Sequence, residues 1–331
     1  MDNFLIIRLS SLGDIIHGLP AFAVLRRGFP EARIAWVVGQ PGSEILENVP
    51  GLDEVIIRGD IGWFKRLRLR DRTAIDIQGL VKSALLGRLS RARRRIGFSR
   101  KNLKEPAAAA FYTDRLPPFE ETGHVIGKNI RLLEKVGLKA DAAGYEFPLV
   151  VPETPKCRIA GALEKLGVMG GTKLVLCNVG AAWVTKRWPA ERWVELLPSL
   201  KGKGLFPLLL WGNSLEKAMA ESIAAQTGVT SAPFFTIPEV LALIASAALV
   251  ISGDTFALQA ACALDVPVVA LFGPTDAKRN GPFRERDRTA QSLSLECRPC
   301  WKKKCPTIEC MRAIGAADVA RLVEEVLGGD V

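Results

Sequence analysis

ALVISGDTFALQAACALDVPVVALFGPTD, residues Ala248–Asp276, has the order strand, turn, helix, strand. The apolar run Ala248–Ser252 has the length of a strand, and Phe256–Leu264 has helical composition. Val266–Gly273 is a second apolar run, and continuous apolar runs are typical of strands that are buried on both faces of a parallel sheet. The stretch therefore predicts a βαβ unit.

The turn Gly253-Asp254-Thr255 joins the first of these strands to the helix. Asp and Thr are favoured N-cap residues, so the helix is predicted to begin here. A strand that turns directly into a helix presents backbone N–H groups at the sheet edge, where a phosphate or pyrophosphate can bind. Such turns are common, however, and a plain βαβ unit whose Asp254 only caps the helix explains the same residues.

Strand and helix patterns alternate along the whole chain, which predicts an α/β fold with doubly wound parallel sheets. The chain has 331 residues, more than the ~250 that one core normally supports, so two domains are expected. The predicted parts are an N-terminal domain over 1–152, a C-terminal domain over 153–315, and a helix over 316–331 that would pack back toward the N-terminal domain. Because open α/β sheets bind ligands at the carboxyl ends of their strands, a central cleft between the domains is predicted to hold the ligands.

Composition places the chain among globular proteins, since 48% of its residues are hydrophobic. No apolar run reaches the ~20 residues that a transmembrane helix needs. The N-terminus lacks the basic and small-residue features of a signal peptide, so we expect a cytoplasmic protein. Inside the N-terminal domain, a helix is predicted over Ile15–Arg27, and Pro20 should kink or divide it.

The formal net charge is +10, and basic residues are concentrated in the first half of the chain. Arg88–Lys104 holds eight basic residues and no acidic one. Such a surface can face nucleic acid, an anionic lipid or a phosphorylated substrate, or it can simply be solvated. No nucleic-acid-binding motif accompanies the charge, so we expect no nucleic-acid partner.

Several blocks that succeed one another along the chain resemble the bacterial lipopolysaccharide heptosyltransferases, glycosyltransferase family 9. The N-terminal half contains IIRLSSLGDIIHGLPA at 6–21, DIQGLVKSALL at 76–86, RRIGF at 94–98 and LKEPAAAAFYTDR at 103–115. The C-terminal half contains TKRWPAERW at 185–193, LLLWGNSLEK at 208–217, SGDTFALQAACAL at 252–264 and PVVALFGPTD at 267–276. The first set looks most like the branch that adds the first heptose to a Kdo residue, known as heptosyltransferase I.

This resemblance implies a GT-B fold, in which two Rossmann-like domains face a central cleft. It implies an inverting glycosyltransferase that needs no metal for catalysis and moves heptose from ADP-heptose to Kdo-lipid A. The acceptor is anchored in the inner membrane, so the resemblance also implies a cytoplasmic protein that is peripheral on that membrane surface.

The resemblance assigns catalysis to Asp14 and Lys186. Asp14 would be the general base that takes the proton of the acceptor hydroxyl, and its alternative is a carboxylate that caps a helix N-terminus. A helix N-terminus also keeps a carboxylate ionised but weakly basic, so a late proton transfer is expected. Lys186 would neutralise the departing diphosphate, and its alternative is a surface lysine beside Trp188.

The donor-binding residues implied by the resemblance are Thr185, Glu216, Asp254, Thr255 and Gln259. Glu216 suits ribose hydroxyl groups, or it is a helix-start carboxylate stabilised by the helix dipole.

The donor turn departs from the family pattern Asp-Thr-Gly-Pro-x-His. Phe256, Ala257 and Gln259 stand where that pattern has Gly, Pro and His. Gln259 cannot carry a charge. Any binding of the diphosphate by a histidine at this position is therefore lost or reduced to a neutral hydrogen bond. The identity of the donor is therefore the open point.

The acceptor-binding residues implied by the resemblance are Gly13, His17, Gln78, Lys82 and Lys104. Lys82 and Lys104 match basic positions that face the anionic acceptor. His17 is about one helical turn from Asp14, whereas His124 begins a helix and is expected to cap or pack.

Four cysteines, Cys297, Cys300, Cys305 and Cys310, fall within 14 residues. Four thiolates could hold a structural Zn or Fe ion, but the spacing is unlike that of a standard zinc ribbon. Free thiols or a disulfide are the alternatives.

Three rival functions are compatible with the sequence. The chain could be a related glycosyltransferase with another nucleotide sugar or acceptor, as Phe256 and Gln259 suggest. It could be a nucleotide-sugar-binding protein without catalysis, although Asp14 and Lys186 speak against that. A nucleic-acid-binding module is the weakest alternative.

Overall fold

The computed structural model describes residues 3–68, 72–139, 145–292 and 294–328. The chain forms two compact units, Met1–Val150 and Val151–Val331. The boundary predicted from sequence, between residues 152 and 153, lies two residues further along the chain. Residues 329–331 of the predicted C-terminal segment lie outside the described residues.

The first unit contains a six-stranded sheet in which all neighbouring strands are parallel. Its strands are β1 (Asn3–Ile7), β2 (Arg33–Val38), β3 (Glu54–Ile57), β4 (Thr73–Asp76), β5 (Arg94–Gly97) and β6 (Asp114–Arg115). Their order across the sheet is β3-β2-β1-β4-β5-β6. From β1 the chain adds β2 and β3 on one side of the sheet, and it then returns to add β4, β5 and β6 on the other side. The predicted doubly wound topology is confirmed.

The helices of the first unit connect these strands and cover the sheet. They are α1 (Leu12–Ile16), α2 (Leu19–Gly28), α3 (Ser43–Leu46), α4 (Trp63–Leu67), α5 (Val81–Leu89) and α6 (Val125–Arg131). Three 3₁₀ helices span Arg100–Asn102, Pro106–Phe111 and Leu132–Val136. Pro20 lies in the first turn of α2, so it divides the predicted helix as expected.

The second unit contains another six-stranded parallel sheet. Its strands are β7 (Leu174–Asn178), β8 (Phe206–Leu210), β9 (Thr230–Ser231), β10 (Leu249–Gly253), β11 (Val268–Phe272) and β12 (Arg288–Gln291). Their order, β12-β11-β10-β7-β8-β9, repeats the arrangement of the first sheet when each strand is counted from the start of its own unit. Two units of the same topology succeed one another along the chain.

The helices of the second unit include the one that opens it and the one that ends the chain. They are α7 (Glu153–Lys165), α8 (Ala190–Gly202), α9 (Ser214–Thr227), α10 (Ile237–Ala245), α11 (Phe256–Ala263), α12 (Ala277–Asn280), α13 (Glu309–Arg312) and α14 (Ala316–Leu327). A 3₁₀ helix spans Val184–Lys186.

The terminal helix α14 packs on α8, β11 and β12. Its buried residues Val319, Leu322, Val323 and Val326 belong to the core of the second unit. The apolar face of α14 is thus covered by its own unit, and packing back toward the N-terminal domain stays a prediction.

In each unit, two strands lie where the winding of the sheet reverses: β1 and β4 in the first, and β7 and β10 in the second. Ligand sites of doubly wound sheets are found beyond the carboxyl ends of such strands. Within the part of the chain that the structure describes, no helix combines the length and apolar character that a bilayer span requires.

Candidate functional site

Asp14 lies in α1, directly after the carboxyl end of β1. Its Oδ2 accepts hydrogen bonds from the backbone N–H of Ser11 at 3.1 Å and from the Ser11 hydroxyl at 2.9 Å. The guanidinium of Arg8 is 2.6 Å from the same oxygen. Among the described residues no such contact falls on Oδ1. The carboxylate is therefore fixed through one oxygen, while the other can meet a ligand.

The surroundings of Asp14 keep it ionised. Burial opposes the charged form, but Arg8, then His17 and the Ser11 N–H, outweigh it and hold the pKa of Asp14 well below its usual range. The capping role considered from the sequence is present as well, because Asp14 accepts from the Ser11 backbone at the start of α1.

The structure brings His17 and Gly13 close to Asp14, within or just after α1. His17 is only 4% exposed, and its ring packs edge-on against His124 at a centroid distance of 5.5 Å. Its carbonyl accepts the Asn129 side-chain amide at 3.0 Å. His17 therefore acts on Asp14 from within the core, and its contact with the acceptor stays a prediction. His124 caps α6 through Nδ1, as expected.

Gln78 follows β4 and reaches across to the end of β1. Its Oε1 accepts the backbone N–H of Leu9 at 2.8 Å. Arg8 Nη1 donates to the carbonyl of Ile77 at 3.0 Å, so the two turns are linked twice. The structure thus places Gln78 beside the Asp14 turn, at the reversal point of the first sheet.

A buried carboxylate, Asp76, holds the turn that carries Gln78. Its Oδ1 accepts the N–H groups of Gln78 at 2.9 Å and Gly79 at 3.0 Å. Its Oδ2 accepts the hydroxyls of Ser83 and Tyr112, each at 2.8 Å. Burial raises the pKa of Asp76, and these four donors oppose that rise. The turn is therefore rigid.

Lys82 and Lys104 are both exposed. Lys82 lies in the first turn of α5, and Glu105, the neighbour of Lys104, accepts the N–H of Val81 at 2.7 Å. The two lysines are consequently brought to the same end of α5. Their ammonium groups are open to an anionic ligand.

Lys186 and Asp254 meet at the reversal point of the second sheet, in the loops after β7 and β10. Lys186 Nζ lies 2.7 Å from Asp254 Oδ2 and 3.1 Å from the Asp254 carbonyl. Both side chains are largely buried. Gly253 permits this approach, because a Cβ there would lie 2.7 Å from the Lys186 carbonyl. Lys186 therefore belongs to a largely buried ion pair and is not a free surface lysine.

Gln259 supports this pair indirectly. It is 3% exposed, and its Nε2 donates to the carbonyl of Asn280 at 2.8 Å. Asn280 Nδ2 in turn lies 3.3 Å from Asp254 Oδ2. Thr255 is the N-cap of α11, and its hydroxyl contacts Asn178 and Ser252 at 3.0 and 2.9 Å. Gln259 is thus a residue that positions Asp254.

Glu216 is buried in the first turn of α9, after β8. Its Oε2 accepts the Gly212 N–H at 2.9 Å, and its Oε1 lies 3.4 Å from Arg187 Nη2. Gly180 lies against this carboxylate, since a Cβ there would be 2.2 Å from Oε2. A negative charge is therefore fixed at the carboxyl end of β8, as the sequence predicted, and Arg187 is paired with it.

The sequence of the chain matches a known protein family. The sequence model of Glycosyltransferase family 9 (heptosyltransferase) matches residues 63–310. The chain belongs to glycosyltransferase family 9. It is 32% identical over 323 residues to lipopolysaccharide heptosyltransferase 1 of Pseudomonas aeruginosa, covering 91% of this chain and 86% of that protein. The predicted enzyme class, a glycosyltransferase, and the resemblance to type 1 heptosyltransferases are confirmed.

Solved structures of family members share the fold. Escherichia coli heptosyltransferase WaaC with ADP is 23% identical and superposes with a TM-score of 0.75, over 98% of this chain and 97% of that one. WaaC with ADP-2-deoxy-2-fluoro heptose gives the same TM-score and identity, over 98% and 99%. The predicted GT-B fold is confirmed.

Thr185 of this glycosyltransferase is 2% exposed, and its hydroxyl donates to the carbonyl of Lys302 at 2.7 Å. The hydroxyl thus anchors the cysteine-rich segment 297–310, and the contact with the donor stays a prediction. No sequence signal pairs residues that are so far apart in the chain.

The four cysteines of the predicted metal site are free thiols, as are the other three cysteines of the chain. Burial raises the pKa of Cys310, with Cys300 and Cys297 adding to the rise, whereas backbone N–H groups lower the pKa of the exposed Cys305. Across the described ranges, no three His, Cys, Asp or Glu side chains are grouped to hold a metal ion. The Zn or Fe site considered from the sequence stays a prediction.

Sequence reasoning missed three residues of the site: Arg8, Asp76 and Tyr112. Arg8 precedes the Ser-Ser-Leu-Gly-Asp turn, and its position at the end of a strand was the available signal. Asp76 ends β4 before Gln78-Gly79, where a carboxylate commonly binds backbone N–H groups. Tyr112 is distant in sequence, and only the fold brings it to Asp76.

Proposed function

We propose that this protein is an inverting heptosyltransferase that moves heptose from ADP-heptose to the Kdo residue of Kdo-lipid A in lipopolysaccharide inner-core synthesis. The observation that carries the proposal is the similarity to a lipopolysaccharide heptosyltransferase 1 over nine-tenths of the chain. The solved relative with a fluorinated ADP-heptose supports the donor class.

Asp14 is proposed as the general base. The acceptor hydroxyl oxygen forms a bond to the anomeric carbon of the heptose, the bond from that carbon to the diphosphate breaks, and the hydroxyl proton passes to Asp14. The low pKa of Asp14 makes it a weak base, so the proton is expected to move late, when the hydroxyl has become acidic through bond formation. Oδ1 is the oxygen proposed to receive it.

Lys186 is proposed to stabilise the leaving ADP. The diphosphate gains negative charge as its bond to the sugar breaks, and a fixed ammonium near it lowers the energy of that state. Asp254 holds the ammonium at 2.7 Å, and Asn280 and Gln259 hold Asp254. No step is assigned to a metal ion.

The acceptor is proposed to meet Gln78, Lys82 and Lys104 in the first unit. Two exposed lysines at one end of α5 suit the negative charges of Kdo. The basic segment Arg88–Lys104 begins in the last turn of the same helix, so we propose that the protein is cytoplasmic and peripheral at the inner-membrane surface.

A second candidate is transfer from a different nucleotide sugar. It is favoured by one observation: Gln259, which stands where the family pattern has His, is 3% exposed and uses one amide N–H to hold the Asn280 carbonyl. The donor would then be chosen by other groups of the turn, among them Phe256.

A mass-spectrometric transfer assay tests the proposal. The purified protein meets Kdo-lipid A and a panel of nucleotide sugars, and we expect a heptose mass increase with ADP-heptose. Asp14→Asn should lower the rate by about 10²–10⁴-fold, because a general base contributes that much.

Asp60→Asn, an exposed aspartate in a loop, is the matched control and should keep the wild-type rate. A mass increase with another sugar would favour the second candidate. Unchanged transfer by Asp14→Asn would reject the base assignment.

A further inference from the structure

The cysteine-rich segment 297–310 belongs to the second unit and has no role in the proposed reaction. It contains no strand, and its first helix is α13 at its end. Yet it is fixed firmly at its centre, because the N–H groups of Cys300 and Trp301 both donate to the Pro274 carbonyl at 3.0 Å. Pro274 belongs to the loop after β11, so the segment lies against the carboxyl edge of the sheet.

A second attachment fixes the segment to the loop that carries Lys186. The buried hydroxyl of Thr185 donates to the carbonyl of Lys302 at 2.7 Å. Thr185 and Lys186 are neighbours, and so are Lys302 and Lys303. The side chains of Lys186 and Lys303 consequently both contact the ring of Trp183.

Trp183 contacts two lysine ammonium groups through its ring. Lys186 Nζ lies 4.5 Å from the ring centroid, and Lys303 Nζ lies 5.3 Å from the same centroid. Both distances fall within the range of a cation–π contact. One indole ring therefore contacts the ammonium groups of both lysines.

The balance of charge at this point is positive. Lys186 is paired with Asp254, but among the described residues neither Lys303 nor Arg279 makes an ion pair. Arg279 stacks on Trp301 at 5.4 Å and donates to the Asn280 side chain at 2.7 Å. Two of these three cations therefore have no carboxylate partner, and Lys303 is exposed where a ligand could reach it.

We propose that Lys303 binds the diphosphate of the donor, held beside Lys186 by the Trp183 ring. The inference rests on the proposed function, since it requires a nucleoside diphosphate in the second unit. A diphosphate esterified at both ends carries two negative charges, and the free nucleoside diphosphate left after transfer carries about one more. Lys303 therefore binds the leaving group more strongly than the intact donor and assists its departure.

Calorimetric titration with ADP and AMP tests this role. Lys303→Ala should weaken ADP binding about five- to tenfold, because a charge-assisted contact to phosphate is lost. AMP has no β-phosphate, so its affinity should change less. Lys303→Arg should restore most of the ADP affinity, and Lys304→Ala, at the adjacent exposed lysine, is the matched control.

Each outcome separates this inference from the proposed function. Wild-type protein that binds ADP, with Lys303→Ala binding it equally well, overturns the role of Lys303 and leaves the donor proposal intact. An equal loss of ADP and AMP affinity also overturns it, since the β-phosphate would then be uninvolved. Wild-type protein that binds no ADP but binds UDP rejects the proposed donor, and Lys303→Ala is then compared on UDP and UMP. Binding of neither nucleotide rejects both proposals.

Discussion

Asp14 combines two properties that pull in opposite directions. The Arg8 guanidinium keeps the carboxylate ionised, which a base requires, but the same charge reduces its affinity for a proton. Because the contacts with Arg8 and Ser11 all fall on Oδ2, the orientation of Asp14 is fixed without covering Oδ1. Asp14 would therefore contribute to catalysis through its fixed position and not through a high basicity.

Replacing Arg8 should therefore move the acidic limit of activity. In Arg8→Gln the pKa of Asp14 rises toward its ordinary value, and the acid limb of the kcat/KM profile shifts to higher pH. The depressed pKa also stabilises the fold above the pKa of the unfolded state, and this stability is lost as pH falls through the folded-state pKa. Arg8→Gln should thus lower the free energy of unfolding at pH 7 more than at pH 3, as urea titrations would measure.

Arg8→Lys keeps the charge and should retain most of the acid tolerance. Arg58→Gln removes an exposed guanidinium of the same unit and serves as the control. An acid limb that stays in place in Arg8→Gln would contradict the electrostatic account of Asp14.

At the level of residues, sequence reasoning located charges better than it located their partners. Asp14, Lys186 and Asp254 lie just after strand ends, and local patterns reveal strand ends. The partners Lys302 for Thr185, Asn280 for Gln259 and Tyr112 for Asp76 come from other parts of the chain. The burial of His17 likewise depends on tertiary packing.

Among the elements, the loops after β7 and β10 depend on a close backbone approach. A Cβ on Gly253 would lie 2.7 Å from the Lys186 carbonyl, and backbone cannot yield as a flexible side chain can. The end of β10 and the 3₁₀ helix Val184–Lys186 are thus held at a separation that only glycine permits. The ion pair between Lys186 and Asp254 spans the same gap.

Gly253→Ala should push these two loops apart. We expect a loss of about 1–3 kcal/mol in the free energy of unfolding, typical of overpacking a buried site, together with a reduced kcat. Denaturant titration and steady-state kinetics would measure both.

Gly161→Ala on α7 is the control, because nothing lies within 4 Å of the added Cβ. A Gly253→Ala protein with unchanged stability and kcat would show that the loops can separate without consequence.

The elements that the sequence revealed are those with strong apolar patterns. Helix α14, helix α11 of the βαβ unit and the division of the first helix at Pro20 agree with prediction. The edge strand β12 was missed because Arg288–Gln291 is mostly polar, and α4 was missed because it has only five residues. Short elements at the edges of a sheet are defined by their neighbours more than by their own composition.

At the scale of the whole molecule, the net charge of +10 predicts attraction to anionic surfaces. Arg88 and Arg93 are exposed and make no ion pair among the described residues. Each basic residue near an anionic bilayer contributes about 1 kcal/mol. We expect the protein to sediment with vesicles containing phosphatidylglycerol at low ionic strength and to be released by added salt.

The double variant Arg88→Ser, Arg93→Ser should bind these vesicles more weakly than the wild type. Lys165→Ser, Lys173→Ser removes the same charge from the second unit and is the matched control. Equal binding by both double variants would show that total charge, and not the basic segment of the first unit, governs the association.

The shared strand order of the two units points to the history of the chain. Tandem duplication of an ancestral half-length gene would leave this pattern, with each copy keeping the scaffold and changing only the loops at its strand ends. At the turn after the first strand, one copy carries the carboxylate of Asp14, and the other carries the ammonium of Lys186. Asp14 and Lys186 would then lie in two loops that diverged from a single ancestral loop.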